Sequence, residues 1–289
     1  MIFTDIGSGY LNLLKELSCD IIIIDHHEIE GFHSENMIHI NPLNFDLEFS
    51  GSGTTYLLAK EVLNHNSLAP LAIVGTIGDT NYSINSKVFE TPMIEIESGL
   101  NLFGRFSRPL YKALELSGIS GIGDPSKALQ FLSEIGIQSQ REGEWRTFND
   151  LTVEEKTKLT DAIVKESLSN ENFKKELIFG DVLTLKQFPD ELKDAKEFAT
   201  ILNATANMNE PAIGIALCLG SKKALEYARG VVKGYRKLIG NYLNLIENNP
   251  QSIKQKDFAT YILAGETINE NMIGTVVSML FKPSEKTLI

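Results

Sequence analysis

Residues 21–27 read IIIIDHH, and the predicted fold class rests mainly on this run of residues. Four consecutive isoleucines without alternating polar side chains are typical of a strand buried on both faces, as in a parallel sheet. Similar apolar runs, MIFTD and MIHINP, occupy residues 1–5 and 37–42, and a helical pattern over residues 10–17 separates the first two runs. The pattern predicts βαβ units around a mostly parallel sheet, which is an α/β fold.

The same pattern continues towards residue 79. A helix is predicted from Gly53 to Asn64, and the apolar run LAIVGTIGD at residues 71–79 is predicted to be a further strand. Functional groups gather at the carboxyl ends of the strands in such sheets. We therefore expect one sheet edge to carry the aspartates that end three of these runs, namely Asp5, Asp25 and Asp79.

Changes in composition and periodicity divide the chain into five predicted segments. The α/β core occupies residues 1–117, and a charged helical insertion occupies 118–195, in which Thr152 and Glu155 have capping-box spacing before a helix that reaches Leu168. Sheet-like patterning at 213–220 predicts a return to the core over residues 196–221. A long connecting helix at 222–250 and the beginning of a second, smaller α/β domain at 251–289 complete the prediction.

Charge and hydropathy exclude several classes of protein. The chain has 27 Lys and Arg against 38 Asp and Glu, a net charge of −11. No apolar run approaches the roughly 18 residues of a membrane span, and no secretory signal opens the sequence, so we expect a soluble cytoplasmic protein without a membrane partner. Cys19 and Cys218 lack the spacing of a disulfide framework or thiolate metal site. Because the overall field repels phosphate, nucleic acid would need a local basic patch or bound cations.

The strongest candidate for chemistry is Asp25-His26-His27, which directly follows the isoleucine run. Together with Asp5 and Asp79 it would place carboxylates and imidazoles at one sheet edge, a combination that suits Mn²⁺ or Mg²⁺ better than structural Zn²⁺. Taken alone, the tripeptide is equally consistent with a surface turn that carries incidental histidines. A single aspartate after a strand is more often a cap or turn residue than a ligand.

Three further groups are candidate contacts to phosphate or nucleic acid. Ser52 and Gly53, in the SGSGT segment before a predicted helix, could offer backbone N–H groups to a phosphate, although an ordinary N-cap explains them as well. Arg105 belongs to a small basic cluster beside aromatic residues. Arg229, Lys233 and Arg236 share one face of the long helix, where solvated charge is the commoner explanation.

In order along the chain, FTDIGSG, IIIIDHHEIEG, INPLNFDLEFSGSGTTYLLAKEV and AIVGTIGDTN resemble successive motifs of the DHH phosphoesterase superfamily. FGRFSRPLYKALELS, GEWRTFNDLTVEEK and KEFATILNATANMNEPAIGIALCLG resemble its archaeal RecJ-like branch. The resemblance implies a DHH domain in which two Mn²⁺ or Mg²⁺ ions activate water for attack on a phosphodiester. It implies metal ligation by Asp5, His26 and Asp79, and catalytic roles for His27, which contacts the phosphate, and Asp25, which orients the loop.

The resemblance also implies a function and a set of partners. It implies a single-strand-specific exonuclease of DNA replication and repair, with single-stranded nucleic acid as substrate and replisome proteins as partners. The alternatives are a non-catalytic replisome scaffold related to RecJ and a phosphatase of short oligonucleotides or pyrophosphate.

Three departures from the family pattern modify this expectation. The family's preceding D-x-D-G strand and its later GGGH-like element are not found within the sequence, and Asn207 stands where the family pattern has an arginine. These departures predict a chain truncated at both ends, with an incomplete metal site and impaired activity.

Overall fold

The computed structural model describes residues 1–79, 89, 91–119, 122–168, 178–256, 259–280 and 287–288. The chain divides into two compact units, Met1–Thr200 and Ile201–Ile289. No helix in these described ranges is long and apolar enough to cross a membrane.

Unit 1 begins with the predicted parallel sheet. Strand β1 (Ile2–Thr4) is followed by helix α1 (Leu11–Leu14), strand β2 (Ile21–Ile24) and strand β3 (Met37–Ile40). The strand order is β1-β2-β3 and both pairings are parallel, as the uninterrupted isoleucine run predicts. One face of the sheet packs against α1 through a buried cluster of Leu11, Leu14, Ile21 and Ile23. The predicted α/β fold class is confirmed.

Two helices follow, α2 (Gly51–Leu63) and α3 (Ala69–Gly78). Helix α2 matches the predicted helix, but the prediction of a strand at residues 71–79 is wrong, because most of that run lies in α3. Pro70 occupies the first turn, where its missing N–H costs nothing. Buried residues, including Ile73 and Val74, fill the run. A short, uniformly apolar segment does not distinguish a buried strand from a buried helix by periodicity.

The remainder of unit 1 is less purely helical than predicted. Its elements are β4 (Ile94–Leu100), α4 (Leu110–Glu115), α5 (Pro125–Glu134), β5 (Gln140–Arg141), β6 (Glu144–Trp145), α6 (Val153–Leu168), β7 (Phe179–Leu185) and α7 (Asp190–Lys193). Helix α8 (Ala195–Asn207) begins in unit 1 and ends in unit 2. Strand β7 pairs with β4 in antiparallel register over seven residue pairs, so the segment predicted as a helical insertion contains a strand that pairs with the preceding segment. The hydrophobic core of this part of unit 1 includes Leu110, Leu114, Leu132, Leu159 and Ile163.

Unit 2 contains α9 (Pro211–Cys218), α10 (Lys222–Glu247), β8 (Ile253–Gln255), β9 (Ala259–Ile262), α11 (Glu270–Leu280) and β10 (Thr287–Leu288). The long helix is confirmed, and its buried stripe includes Ala228, Val232, Tyr235 and Ile239. The sheet-like interpretation of residues 213–220 is wrong, because α9 takes most of them after Pro211 in its first turn. Strands β8, β9 and β10 form one small sheet in the order β10-β9-β8.

The predicted capping box at the start of α6 is present and carries an additional ion pair. The Thr152 amide donates to Glu155 Oε2 at 2.9 Å, and the Glu155 amide donates to Thr152 Oγ1 at 3.2 Å. The nearly buried Arg146 donates to Glu155 Oε1 at 2.8 Å. The hydrogen bond from Arg146 holds the pKa of Glu155 at about 2, well below its ordinary value of 4.5.

We predict that Glu155→Gln lowers the free energy of unfolding at pH 7 by about 1–3 kcal/mol, because it leaves Arg146 without its carboxylate. The pKa of Glu155 is lower in the folded state. Its contribution is therefore complete above the unfolded value of 4.5 and disappears as the pH falls towards about 2. Urea denaturation between pH 7 and 3 should show the difference between wild type and variant shrinking on acidification. Glu144→Gln is the matched control, and a difference independent of pH would contradict the assignment.

Candidate metal centre

The loop after β2 is organised around the side chain of Asp25, which is fully buried. Its Oδ2 accepts the Ser8 amide at 2.8 Å, and its Oδ1 accepts the His26 amide at 2.8 Å. Burial raises the pKa of Asp25, but the hydrogen bonds from Ser8, His27 and His26 outweigh burial and bring the pKa to about 2. A fixed negative charge therefore lies beneath the loop and ties it to the loop after β1.

His26 projects into a cluster of carboxylates. Its Nε2 lies 3.1 Å from Asp5 Oδ1 and 3.6 Å from Asp79 Oδ2. The His26 side chain is only 7% exposed, whereas the two carboxylates are 64% and 36% exposed. The structure thus brings together the three residues predicted as metal ligands. Asp5 and His26 follow strands, but Asp79 reaches the cluster from the end of helix α3 rather than from a strand.

Asp5 is held by an unusual backbone and by a close helix. Its φ of 61° lies in the left-handed region, which non-glycine residues occupy at some energetic cost. Its carboxylate lies against the first turn of α2, since a Cβ built on Gly51 would be 2.0 Å from Asp5 Oδ1. The positive N-terminal end of a helix stabilises an ionised carboxylate at this position.

Asp79 has the opposite electrostatic situation. It is the C-terminal cap of α3, where the helix end is negative and an acidic side chain is disfavoured. Burial raises the pKa of Asp79, and the nearby charge of Asp5 raises it further, while His26 acts in the opposite direction. Two repelling carboxylates, one of them at the negative end of a helix, form an arrangement that a bound cation would stabilise.

His27 is held by Asp25 in a different orientation. Its Nδ1 lies 2.7 Å from Asp25 Oδ1, and its side chain is 60% exposed. The hydrogen bond to Asp25 raises the pKa of His27 above 6.5, and the charges of Asp5 and Asp79 act in the same direction. The outward-facing Nε2 is therefore suited to donate a hydrogen bond to an anionic ligand.

A second layer of hydrogen bonds supports Asp25, and sequence reasoning missed it. Asn41 Nδ2 donates to Ser8 Oγ at 3.0 Å and to the His27 carbonyl at 2.9 Å. Ser8 Oγ lies 3.0 Å from His39 Nε2, and His39 Nδ1 lies 2.8 Å from His33 Nε2. The sequence offered one signal for this layer, because Asn41 before a proline is typical of an N-cap.

The residues predicted to contact phosphate from the SGSGT segment have structural partners. The Gly53 amide donates to Ser50 Oγ at 3.0 Å, the ordinary N-cap bond, and Ser52 Oγ donates to the Ala72 carbonyl at 3.1 Å. The observed N-cap explains this segment, so the phosphate role of Ser52 and Gly53 stays a prediction. The glycine that matters for the cluster is Gly51, because it permits the approach of Asp5.

Arg105 lies in the interior of unit 1 instead of on a basic surface. It is 4% exposed, and its guanidinium lies 5.2 Å from the ring centre of Phe106 and 5.1 Å from that of Phe148. Burial lowers its pKa, while the charges of Asp194 and Glu97 oppose that change. This burial argues against direct contact between Arg105 and a nucleic acid.

The cationic side chains predicted on the long helix are exposed in unit 2. Arg229, Lys233 and Arg236 lie on α10 away from its buried stripe. Their exposure is compatible with contact to an anionic ligand, and their role in binding stays a prediction.

The donor set fits a hard or borderline divalent cation. Asp5, Asp25, His26 and His27 each offer a ligand atom, and these atoms lie within 4.8 Å of one another. Oxygen-rich sets with an imidazole suit Mn²⁺ and Mg²⁺, whereas structural Zn²⁺ prefers closed sets rich in thiolate or imidazole. Asp79 is outside that set, but its Oδ2 lies 3.6 Å from His26 Nε2, so Asp5, His26 and Asp79 could together hold an ion. The carboxylate of Asp25 is occupied by the hydrogen bonds that orient the loop.

A protein-family profile matches part of this chain, and a relative and two solved structures align with most of it. Residues 102–178 match the sequence profile of the DHH-CID domain. An uncharacterised protein of Methanocaldococcus jannaschii is 28% identical, with 96% of this chain covered. The fold is similar to that of CDC45 from Entamoeba histolytica, with 14% identity and a TM-score of 0.60 over 96% of this chain. A structure of exonuclease RecJ bound to manganese aligns at 15% identity with a TM-score of 0.47, also over 96% of this chain.

Residues 102–178 therefore resemble the DHH-CID domain, and this chain shares its fold with CDC45. The chain spans 63% of the length of the Methanocaldococcus relative, 66% of that of CDC45 and 57% of that of RecJ.

We predict that Gly51→Ala lowers the affinity for Mn²⁺ by at least about tenfold, because the added methyl group displaces the Asp5 carboxylate. Isothermal titration with Mn²⁺ measures the effect. Gly240→Ala, within α10, is the matched control because a Cβ there would meet no atom within 4 Å. Equal Mn²⁺ affinities for wild type and Gly51→Ala would show that Asp5 is not a ligand.

Proposed function

We propose that this chain is a metal-dependent phosphodiesterase that acts on single-stranded nucleic acid, as the RecJ-like resemblance implies. The observation that carries the proposal is the convergence of Asp5, His26 and Asp79, with His26 Nε2 within 3.1 and 3.6 Å of the two carboxylates. These residues come from three separate segments of the chain. The Asp5 carboxylate lies at the positive end of α2, and Asp79 lies at the negative end of α3. The convergence of two carboxylates from such different settings is better explained by cation binding than by stability of the fold.

Asp5, His26 and Asp79 would hold Mn²⁺ or Mg²⁺, and the RecJ-like resemblance implies two such ions. Bound ions of this kind supply activation of water and neutralise charge on the reacting phosphate. The chain's own residues supply orientation. The Asp25 carboxylate fixes the His27 ring through Nδ1, and His27 Nε2 then donates a hydrogen bond to a phosphate oxygen. The raised pKa of His27 favours the protonated ring that this contact requires.

Nucleic acid as the substrate class is supported by the exposed cations of α10. With a net charge of −11, the chain as a whole repels a polyanion, so a few local cations matter more than usual. Arg229, Lys233 and Arg236 share one exposed face of a 26-residue helix, a geometry that can follow successive phosphates of a strand.

A non-catalytic replisome scaffold is the second candidate. It is favoured by Asn207, which stands where the family pattern has an arginine and whose Nδ2 donates to the Tyr235 hydroxyl at 3.2 Å. That side chain makes an internal contact within unit 2 instead of presenting a positive charge. Replisome proteins are proposed partners in either case, and a phosphatase of short oligonucleotides or pyrophosphate is the third possibility.

We predict that Asp5→Asn and Asp79→Asn each lower Mn²⁺-dependent hydrolysis of a single-stranded oligonucleotide by at least about 100-fold, because each removes an anionic ligand from the ion. Asp161→Asn, an exposed carboxylate on α6, is the control and should retain wild-type activity. The scaffold gains support if the wild-type chain binds Mn²⁺ and single strands but hydrolyses neither oligonucleotides nor pyrophosphate. Hydrolysis that survives both variants would exclude this centre as the active site.

We predict that changing Arg229, Lys233 and Arg236 together to Ala makes the salt dependence of single-strand binding shallower by about two units of log–log slope. The loss of up to three phosphate contacts causes this change. Fluorescence anisotropy across a salt series measures it, and the exposed lysines Lys158, Lys165 and Lys196 changed to Ala serve as the matched triple control. If the salt dependence of binding is unchanged, Arg229, Lys233 and Arg236 do not contact the phosphates of the strand.

A further inference from the structure

An open cleft of about 670 Å³ lies beside the metal-site cluster in unit 1. Asp5 and His27 line the part nearest the cluster, while Ile6, Tyr10, Glu28 and Glu30 line the remainder. Clefts of roughly 300–1,000 Å³ are typical of small-molecule sites. The volume is therefore sufficient for one nucleotide unit whose phosphate lies at His27.

The charge of this cleft disfavours a second phosphate in its outer part. Its lining contains the carboxylates of Asp5, Asp25, Glu28 and Glu30, and no lysine or arginine is among the described residues that line it. Within the described ranges, neither Glu28 nor Glu30 forms an ion pair or a side-chain hydrogen bond. A phosphodiester backbone requires cations or hydrogen-bond donors along its path, and carboxylates supply neither. The lining beyond the reacting phosphate therefore suits an uncharged or cationic group better than a second phosphate.

Tyr10 gives this part of the cleft a surface suited to a nucleobase. Tyr10 follows Gly9 in the sequence, lines the cleft and is 55% exposed. Ile6 also lines the cleft and is 51% exposed. Base-to-aromatic stacking tolerates every base, because each base has a π face. The Glu28 and Glu30 carboxylates are acceptors, and the amino and imino groups of bases and the hydroxyl groups of sugars are the matching donors.

We infer that the outer cleft is a nucleoside subsite in which a base stacks on Tyr10 while Glu28 and Glu30 accept hydrogen bonds from the base or sugar. The inference rests on the proposed hydrolysis and makes it more specific. The preferred substrate carries a nucleoside on the reacting phosphate, and a strand would present one terminal nucleotide to this cleft instead of passing its backbone through it.

The decisive experiment compares two p-nitrophenyl esters in Mn²⁺, one of thymidine 5′-phosphate and one of methyl phosphate. They share the leaving group and differ in the presence of a nucleoside. Tyr10→Ala should lower the ratio of kcat/KM for the thymidine ester to that for the methyl ester by about tenfold. Tyr10→Phe should keep the ratio, and so should Tyr227→Ala, which removes a similarly exposed tyrosine from unit 2. A ratio that Tyr10→Ala leaves unchanged would overturn the inference, even if both rates fall.

A binding measurement separates this inference from the proposed hydrolysis. Saturation-transfer NMR with thymidine, which has no phosphate, should show contact with the base protons in wild type and in Tyr10→Phe, but not in Tyr10→Ala. If wild type binds thymidine in this way and hydrolyses neither ester, hydrolysis is refuted and the subsite stands. If thymidine shows no contact with the wild-type protein, the subsite is refuted whatever the rates are.

Discussion

The buried carboxylate of Asp25 is the interaction on which the rest of the candidate site depends. It accepts hydrogen bonds from the Ser8 amide after β1 and from the His26 amide after β2, so one side chain joins two strand-end loops. The same carboxylate fixes the ring of His27. An ionised carboxylate in an apolar interior is stable only when hydrogen bonds compensate for lost hydration, and here they keep its pKa at about 2. Without Asp25, the His27 ring would lose the partner of its Nδ1, and the His26 amide would lose its acceptor.

Several residues around Asp25 have local conformations or charges that do not favour the stability of the fold. Asp5 adopts a positive φ, Asp79 ends a helix with a negative charge, and both approach the same imidazole. Departures of this kind concentrate at functional sites, because the structure elsewhere supplies the compensating stability. In unit 1 that stability comes from the parallel sheet and from the close packing of α2 on Asp5 and α3. Gly51 and Gly75 permit these approaches, since a Cβ on either would clash with Asp5 or Ser52.

The sequence predicted the parts of this arrangement that local patterns determine. The isoleucine run predicted a buried parallel strand, and the Thr152 and Glu155 spacing predicted the start of α6; both are confirmed. The convergence of Asp5, His26 and Asp79 was also predicted, but by an argument that took residues 71–79 for a strand. Hydropathy could not separate helix from strand in that uniformly apolar run, nor in α9, because both segments lack a polar face.

Contacts between distant segments could not be predicted in the same way. Ser8, Asn41 and Gly51 act through approaches that exist only once the sheet and α2 are packed together, and no local pattern encodes those distances. Arg105 illustrates the converse, because a basic residue between aromatics resembles a binding surface in sequence and is an interior side chain in the fold. The charge and periodicity of a sequence indicate which residues could be exposed. The packing of the folded chain determines which of them are exposed.

In the proposed site, Asp5, His26 and Asp79 together bind a divalent cation. Anomalous diffraction at the manganese edge from crystals of this chain soaked in Mn²⁺ tests it most directly. We expect an anomalous peak within roughly 2.0–2.4 Å of His26 Nε2 and of carboxylate oxygens of Asp5 and Asp79. A peak should be absent there in His26→Ala crystals. If wild-type crystals show no peak at this position, or a peak coordinated by other residues alone, these three residues do not bind the ion together.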